Sequence, residues 1–201
     1  MNMRLIPVLL AAVLATAACK DAGNSSSPSG AASASAPAAQ APVSLDAIAA
    51  EAKGFSVGPA MSARVVYVFF DAQCPHCGAL WEAAKPLKNQ ARFVWIPVRL
   101  LNDSSLSQGA ALLAASDPVA AMDAHEASLL AKSGGIAAGG VADAQKAAVK
   151  HNTELFTRYS FGSVPTLVTK QAQTGAVVTQ EGSMQTGQLA VFLGVPVPGG
   201  S

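Results

Sequence analysis

Two cysteines stand three positions apart in Cys74-Pro75-His76-Cys77, a spacing that puts both sulfurs on one face of a single helical turn. Such a pair closes into a disulfide and reopens with little backbone motion, so exchange between dithiol and disulfide is the first chemistry these residues offer. Pro75 suits the first turn of a helix and leaves Cys74 at the helix N-terminus, where unpaired N–H groups and the positive dipole end favour a thiolate. Cys74 is therefore the expected nucleophile: an exposed thiol held below its free pKa of about 8.5, with His76 adding positive charge or a hydrogen bond. Cys77, one turn deeper, is the expected resolving thiol. A pair whose dithiol form is stabilised in this way is the stronger oxidant.

Competing uses of the pair fit less well. A structural disulfide of this spacing closes almost no loop and stabilises little. Structural zinc needs four ligands, and with Cys19 committed elsewhere only the distant His125 and His151 remain; c-type haem needs His after the second Cys, where Gly78 stands. No metal and no cofactor is expected. Two readings from other classes stay open: a non-catalytic peptide-binding module or chaperone using the groove around Pro165, and a carrier of Cu(I) on two close thiolates.

Pro165, in Ser163-Val164-Pro165-Thr166, precedes a strand whose start belongs beside the cysteines. Its plain reading is a strand-initiating proline. A cis peptide before it is nonetheless the expectation, because this is where such a costly bond would serve the site. His125 and His151 read as packing or solvated positions without a chemical role.

The elements that must hold these residues are set by periodicity. Val65 to Phe70 is a continuous β-branched and aromatic run, the mark of a central strand buried on both faces, and it ends directly before the cysteines. Leu80, Trp81, Ala84 and Leu87 then recur at helical spacing, with Pro86 able to kink the helix near its end, and Phe93 to Val98 is the next strand. Upstream, a short helix over 45–53 stopped by Gly54 and an edge strand over 55–57 are expected. From 104 to 159 the chain is alanine-rich, with helices near 105–115, 118–132 and 141–158. Strands 166–170 and 176–180 form a closing hairpin turned at Gln173-Thr174-Gly175, and a last helix spans 186–193. The order is β-α-β, helical insert, β-β-α: an α/β chain with a central mixed sheet flanked by helices.

The 201 residues carry 13 Lys and Arg against 12 Asp and Glu, so no electrostatic footprint for nucleic acid is present. Met1 to Ala18, with Arg4 followed by an apolar run from Leu5 to Leu14, has a signal peptide's layout and is too short to span a bilayer comfortably. Cys19 follows Ala15-Thr16-Ala17-Ala18, which resembles a bacterial lipobox with Thr16 in the usual Leu position. Since three cysteines leave one outside the pair, Cys19 is the expected lipid-attachment site, holding the protein at a membrane surface; cleavage after Ala17 is the rival. From Asp21 to about Ser44 the chain is mostly Ser, Ala, Pro and Gly, too poor in large apolar side chains to bury a core, so a flexible tether is expected there and residues 45–201 are expected to form the single folded domain.

The run Tyr67-Val68-Phe69-Phe70-Asp71 into the Cys-Pro-His-Cys motif, followed by Leu80-Trp81 and Pro86, resembles the catalytic domain of the periplasmic thiol:disulfide interchange proteins of the DsbC/DsbG type, nearer the DsbG branch. Leu112-Leu113-Ala114-Ala115-Ser116-Asp117-Pro118 and His125-Glu126-Ala127-Ser128 resemble that branch's insert, so the likeness runs from about 60 to 194. It implies a thioredoxin fold with a helical insert, protein substrates carrying thiols or disulfides, and a membrane redox partner of the DsbB or DsbD kind. It also implies a cis-proline loop beside the nucleophile, with Pro75, Val164 and Pro165 on the substrate-binding surface and Val164 pairing its backbone with an extended segment. Acid-bearing relatives place a buried carboxylate six residues before the first Cys, where this chain has Val68. Only about twenty residues separate the tether from Val65, too few for the family's dimerisation domain, so a monomer is expected. Pro75-His76 and Val164 resemble the DsbA oxidase branch instead, which leaves the direction of electron flow open.

Overall fold

A computed structural model describes residues 42–199. The expected signal peptide, Cys19 and most of the expected tether lie outside the described residues. The elements are α1 (Leu45–Glu51), β1 (Phe55–Val57), β2 (Val65–Asp71), α2 (Pro75–Ala84), β3 (Arg92–Val98), α3 (Asp103–Ala114), α4 (Pro118–Leu130), α5 (Asp143–Arg158), β4 (Thr166–Lys170), β5 (Val177–Glu181) and α6 (Thr186–Leu193). One five-stranded sheet runs in the order β1-β3-β2-β4-β5, with β2 and β3 parallel and every other pairing antiparallel. The parallel pair is what the α2 crossover requires.

Burial on both sides explains the apolar run of β2. Val66, Val68 and Phe70 join a core with Leu80, Trp81, Leu87 and Leu189, while Tyr67 and Phe69 face a second core with Ile48, Leu155 and Phe156. The period of two sorts successive residues between helices on opposite faces. Beneath α2, Trp95 meets Phe70 and Trp81 edge-on at centroid distances of 5.6 and 5.0 Å, geometries that aromatic quadrupoles favour. The helix carrying the cysteines is thereby seated on large, stiff side chains.

The boundaries depart from the sequence expectation for identifiable reasons. Helix α1 stops at Glu51 because Asn152, on α5, captures the backbone of Lys53, accepting its N–H at 2.9 Å and donating to its carbonyl at 2.7 Å. Pro86 does more than kink its helix: α2 ends at Ala84 and a single 3-10 turn covers Lys85–Leu87. Helix α3 starts two residues early, since Asn102 accepts from Ser105 N–H at 3.1 Å and Ser105 Oγ accepts from Asn102 N–H at 3.2 Å, a reciprocal cap.

The insert is bolted to the active-site strand through His125. Its ring is fully buried on α4; Nε2–H donates to Ala72 O at 2.5 Å, and Nδ1 accepts from Ile136 N–H at 3.2 Å. That pairing requires the neutral ring, and burial accordingly holds its pKa below the ordinary 6.5. Gly135, at φ +93°, lets the chain pass; a Cβ there would lie 2.6 Å from His125 Cε1. Replacing His125 with Ala leaves a cavity and two unpaired backbone groups, and should cost about 2–4 kcal/mol in urea unfolding. Below pH 6.5 the unfolded chain protonates this ring first, so acidification removes stability; that component of the acid slope should vanish in H125A.

Candidate functional site

Strand β2 delivers the chain to the site, and Asp71, at its end, shapes the turn beyond it. The Asp71 side chain is buried; Oδ1 accepts from Gln73 N–H at 2.8 Å, and Oδ2 accepts from Leu100 and Leu101 N–H at 2.8 and 3.0 Å. Its backbone carbonyl accepts from Cys74 N–H at 3.0 Å. One residue thus fixes the approach to the cysteines and ties it to the segment after β3. Cys74 is the N-cap of α2 and Pro75 its first residue, so the sulfur sits at the helix start that the sequence predicts.

Both cysteines are free thiols. Cys77 has no exposed surface, and burial followed by hydrogen bonding to Cys74 pushes its pKa far up. Cys74 is lowered to about 6. The largest cause is the hydrogen bond from the Cys77 thiol; burial opposes it, and the backbone N–H groups of Cys77 and His76 and the His76 charge add to the lowering. His76, exposed on the surface, is therefore the smallest of these contributors rather than the principal one. The thiol is also less open than its sequence position implies: Cys74 is only 6% exposed, because Sγ lies 3.6 Å from the Val164 carbonyl.

The Val164–Pro165 peptide is cis, as expected, and its loop is held firmly. Glu181 on β5 accepts from Gly162 N–H at 2.7 Å and from the Ser163 hydroxyl at 3.1 Å, while the Pro165 carbonyl accepts from Gly182 N–H at 2.8 Å. Val164 precedes the first β2–β4 ladder pair, Phe69 with Thr166, and among the described residues its N–H has no partner. An unpaired backbone N–H in the loop beside a nucleophile is suited to receiving an extended chain. Cys74, Cys77, His76, Pro75, Val164 and Pro165 are all brought together; Cys19 lies outside the described residues.

Sequence reasoning missed Glu126. This α4 side chain is 6% exposed and its carboxyl rests on Gly78, where an added Cβ would stand 2.1 Å from Oε2. Burial, then the charges of Glu82 and Cys74, raise its pKa to about 7. Glycine directly after Cys77 was the available signal, since close approach of another group is one of the few reasons for glycine inside a helix.

A mixed sheet with a Cys-x-x-Cys pair heading a helix after its central strand, opposite a cis-proline loop, is the arrangement of the thioredoxin fold. No family model matches the sequence. The chain is similar to the thiol:disulfide interchange protein DsbG of Pseudomonas aeruginosa, 34% identical over 143 residues covering 68% of this chain and 54% of that protein. It therefore spans about half the length of that relative. Among solved structures, the catalytic domain of Proteus mirabilis ScsC superposes with a TM-score of 0.57 at 18% identity, covering 74% of this chain and 96% of that one. A disulfide interchange protein from Neisseria gonorrhoeae gives 0.54 at 21% identity, covering 75% and 96%. The described domain shares the fold of these solved structures, and its sequence is similar to about half of the DsbG relative.

Acidification of Cys74 is directly measurable. Alkylation of the reduced protein by iodoacetamide should rise through a midpoint near pH 6 and flatten above pH 7, since the thiolate is the reacting form. Because the Cys77 thiol is the main cause, Cys77→Ala should move the midpoint upward toward the ordinary value, whereas Cys77→Ser, which keeps a donor, should move it less.

Proposed function

We propose that the protein is a thiol:disulfide oxidoreductase of the bacterial cell envelope that exchanges disulfides with protein substrates through Cys74 and Cys77. The observation that carries this reading is the asymmetry of the pair: one sulfur ionised near neutrality at the helix start beside the cis-proline loop, its neighbour kept protonated in the core.

Toward a substrate disulfide, the Cys74 thiolate attacks one sulfur, forming the mixed disulfide and expelling the other sulfur as a thiolate. Cys77 then loses its proton and attacks the Cys74 sulfur, closing the Cys74–Cys77 disulfide and releasing the substrate reduced by two electrons. In the oxidising direction a substrate thiolate attacks the closed pair at Cys74 and Cys77 leaves as a thiolate, taking up a proton; a second substrate thiol resolves the mixed disulfide. Once Cys74 is joined to substrate it no longer carries the charge that the Cys77 thiol stabilised, so Cys77 ionises more readily at the step that needs it.

Thiolate stabilisation favours the dithiol, so the pair gives up its disulfide readily and is biased toward oxidising substrates. Direction in the cell is set by the partner that resets it: a membrane oxidase of the DsbB kind recharges the disulfide, a reductase of the DsbD kind the dithiol. The backbone edge at Val164 would align an extended substrate, with Pro75 and Pro165 flanking the reacting sulfur. Export by residues 1–18 and lipidation at Cys19 complete the proposal, placing the domain in the periplasm on a flexible tether; among the described residues no helix is long and apolar enough to cross a membrane.

Cys74→Ser should abolish exchange with a peptide disulfide, while Cys77→Ser should accumulate the Cys74 mixed disulfide on a non-reducing gel. Full retention of cellular function by Cys74→Ser would instead favour a binding module. Expressed with its complete N-terminal segment, the wild type should fractionate with membranes and take up labelled palmitate, and Cys19→Ala should do neither.

A further inference from the structure

The cavity beside the cysteines has features that the exchange reaction itself does not use. It encloses about 310 Å3 between α2 and α4, some ten times the roughly 30 Å3 share of a liquid water. Gln73 and Pro75, the chain neighbours of Cys74, form one side; Ala79, Leu129 and Leu130 supply apolar walls. Leu130 is 81% exposed, a large apolar side chain held at the rim without cover.

Inside this mostly apolar enclosure sits the Glu126 carboxyl, more than nine-tenths buried. Among the described residues nothing donates a hydrogen bond to it and no cation pairs with it. The other acid of the cavity, Glu82, is exposed and already bound to Lys85 at 2.6 Å, and Lys85 also pairs with Asp123 at 2.7 Å. A carboxyl facing apolar walls with no donor or cation in contact is costly to ionise, and a cation entering the cavity would offset that cost. Gly78 keeps the space for it on the catalytic helix.

The complement to apolar walls enclosing a lone carboxylate is an aliphatic stem ending in a cation. Given the exchange activity proposed above, we propose that this cavity is a substrate subsite that accepts a Lys or Arg side chain from the polypeptide joined to Cys74, with Glu126 as its counter-charge. Val164 and Pro165 are not among the cavity walls, so backbone pairing at Val164 and side-chain selection at Glu126 are separate contacts on one substrate. Burial first, and then the charges of Glu82 and Cys74, raise the pKa of Glu126, so a cation entering the cavity would oppose that shift.

A peptide series settles this. Each peptide carries one cysteine as a glutathione mixed disulfide and, at one of the three positions on either side, Lys or norleucine. The rate of reduction by the wild-type dithiol form is measured in 0.5 M NaCl to suppress long-range steering. At the position that reaches the cavity, the Lys-to-norleucine rate ratio should be about tenfold larger for wild type than for Glu126→Gln, the effect of one charge-assisted contact. Dividing the two ratios cancels the intrinsic reactivity of each peptide and any effect of the variant on Cys74. Glu82→Gln, whose charge Lys85 already matches, should change the ratio less than twofold. A Glu126 coupling below about threefold at every position overturns the proposal, as does an equal effect of Glu82→Gln. Failure of wild type to reduce any peptide overturns the exchange reading itself, a result distinct from exchange without preference.

Discussion

The influence of the Cys77 thiol on the Cys74 sulfur is the interaction on which the site turns. Two identical side chains three residues apart have the same intrinsic acidity, and exchange chemistry needs them different. The fold separates them by depth. Cys77 lies in the core with the aromatic cluster, where ionisation is penalised, and Cys74 lies at the helix start, where a donor thiol and backbone N–H groups meet it. A shallower Cys77 would compete with Cys74 for the charge, and each would be a weaker partner for the other.

Depth in turn depends on the seat of α2. Trp95 packs edge to face against Phe70 and against the helix's own Trp81, Asp71 fixes the turn that enters the helix, and His125 ties the insert to Ala72 just before that turn. Asp71 and His125 are buried polar groups of the site, and each satisfies backbone that the sharp approach to Cys74 would otherwise leave unpaired. The opposing loop is fixed from the far side of the sheet, by Glu181. Sulfur and cis-proline loop therefore meet as two rigid bodies. The small exposure of Cys74 is a result of that meeting: a partner reaches the sulfur along the loop edge rather than from open solvent.

Much of this is legible in the sequence, for reasons tied to period and punctuation. The unbroken run of Val65 to Phe70 could only be a strand covered twice, and Cys-Pro-His-Cys after it marks a helix start whatever the rest of the fold. What escapes is long-range. Asn152 ends α1 from 99 residues away, and no local signal at Lys53 announces it. His125 and Glu126 are neighbours on a helix of nearly even hydropathy, so periodicity does not say which face is buried; both turn inward, one to a carbonyl and one to a cavity. The weight that sequence alone places on His76 has a similar origin. Proximity along the chain makes it the nearest cation, whereas the stronger influence is the Cys77 sulfur, which only the packed helix brings into line.

The position of Glu126 bears on how this branch of the fold handles charge near its cysteines. Asp71, whose charge acts on Cys77, has both oxygens taken by backbone N–H groups. The unspent carboxyl comes instead from the insert, on the outer side of α2 and within electrostatic reach of Cys74. A charge there opposes the thiolate, so the site works best when the two are not both free. Exchange that consumes the thiolate removes the repulsion, and a cation from the incoming chain removes it from the other direction. The helical insert is thus coupled to the cysteine pair, because it supplies a carboxyl whose ionisation responds to the charge on Cys74.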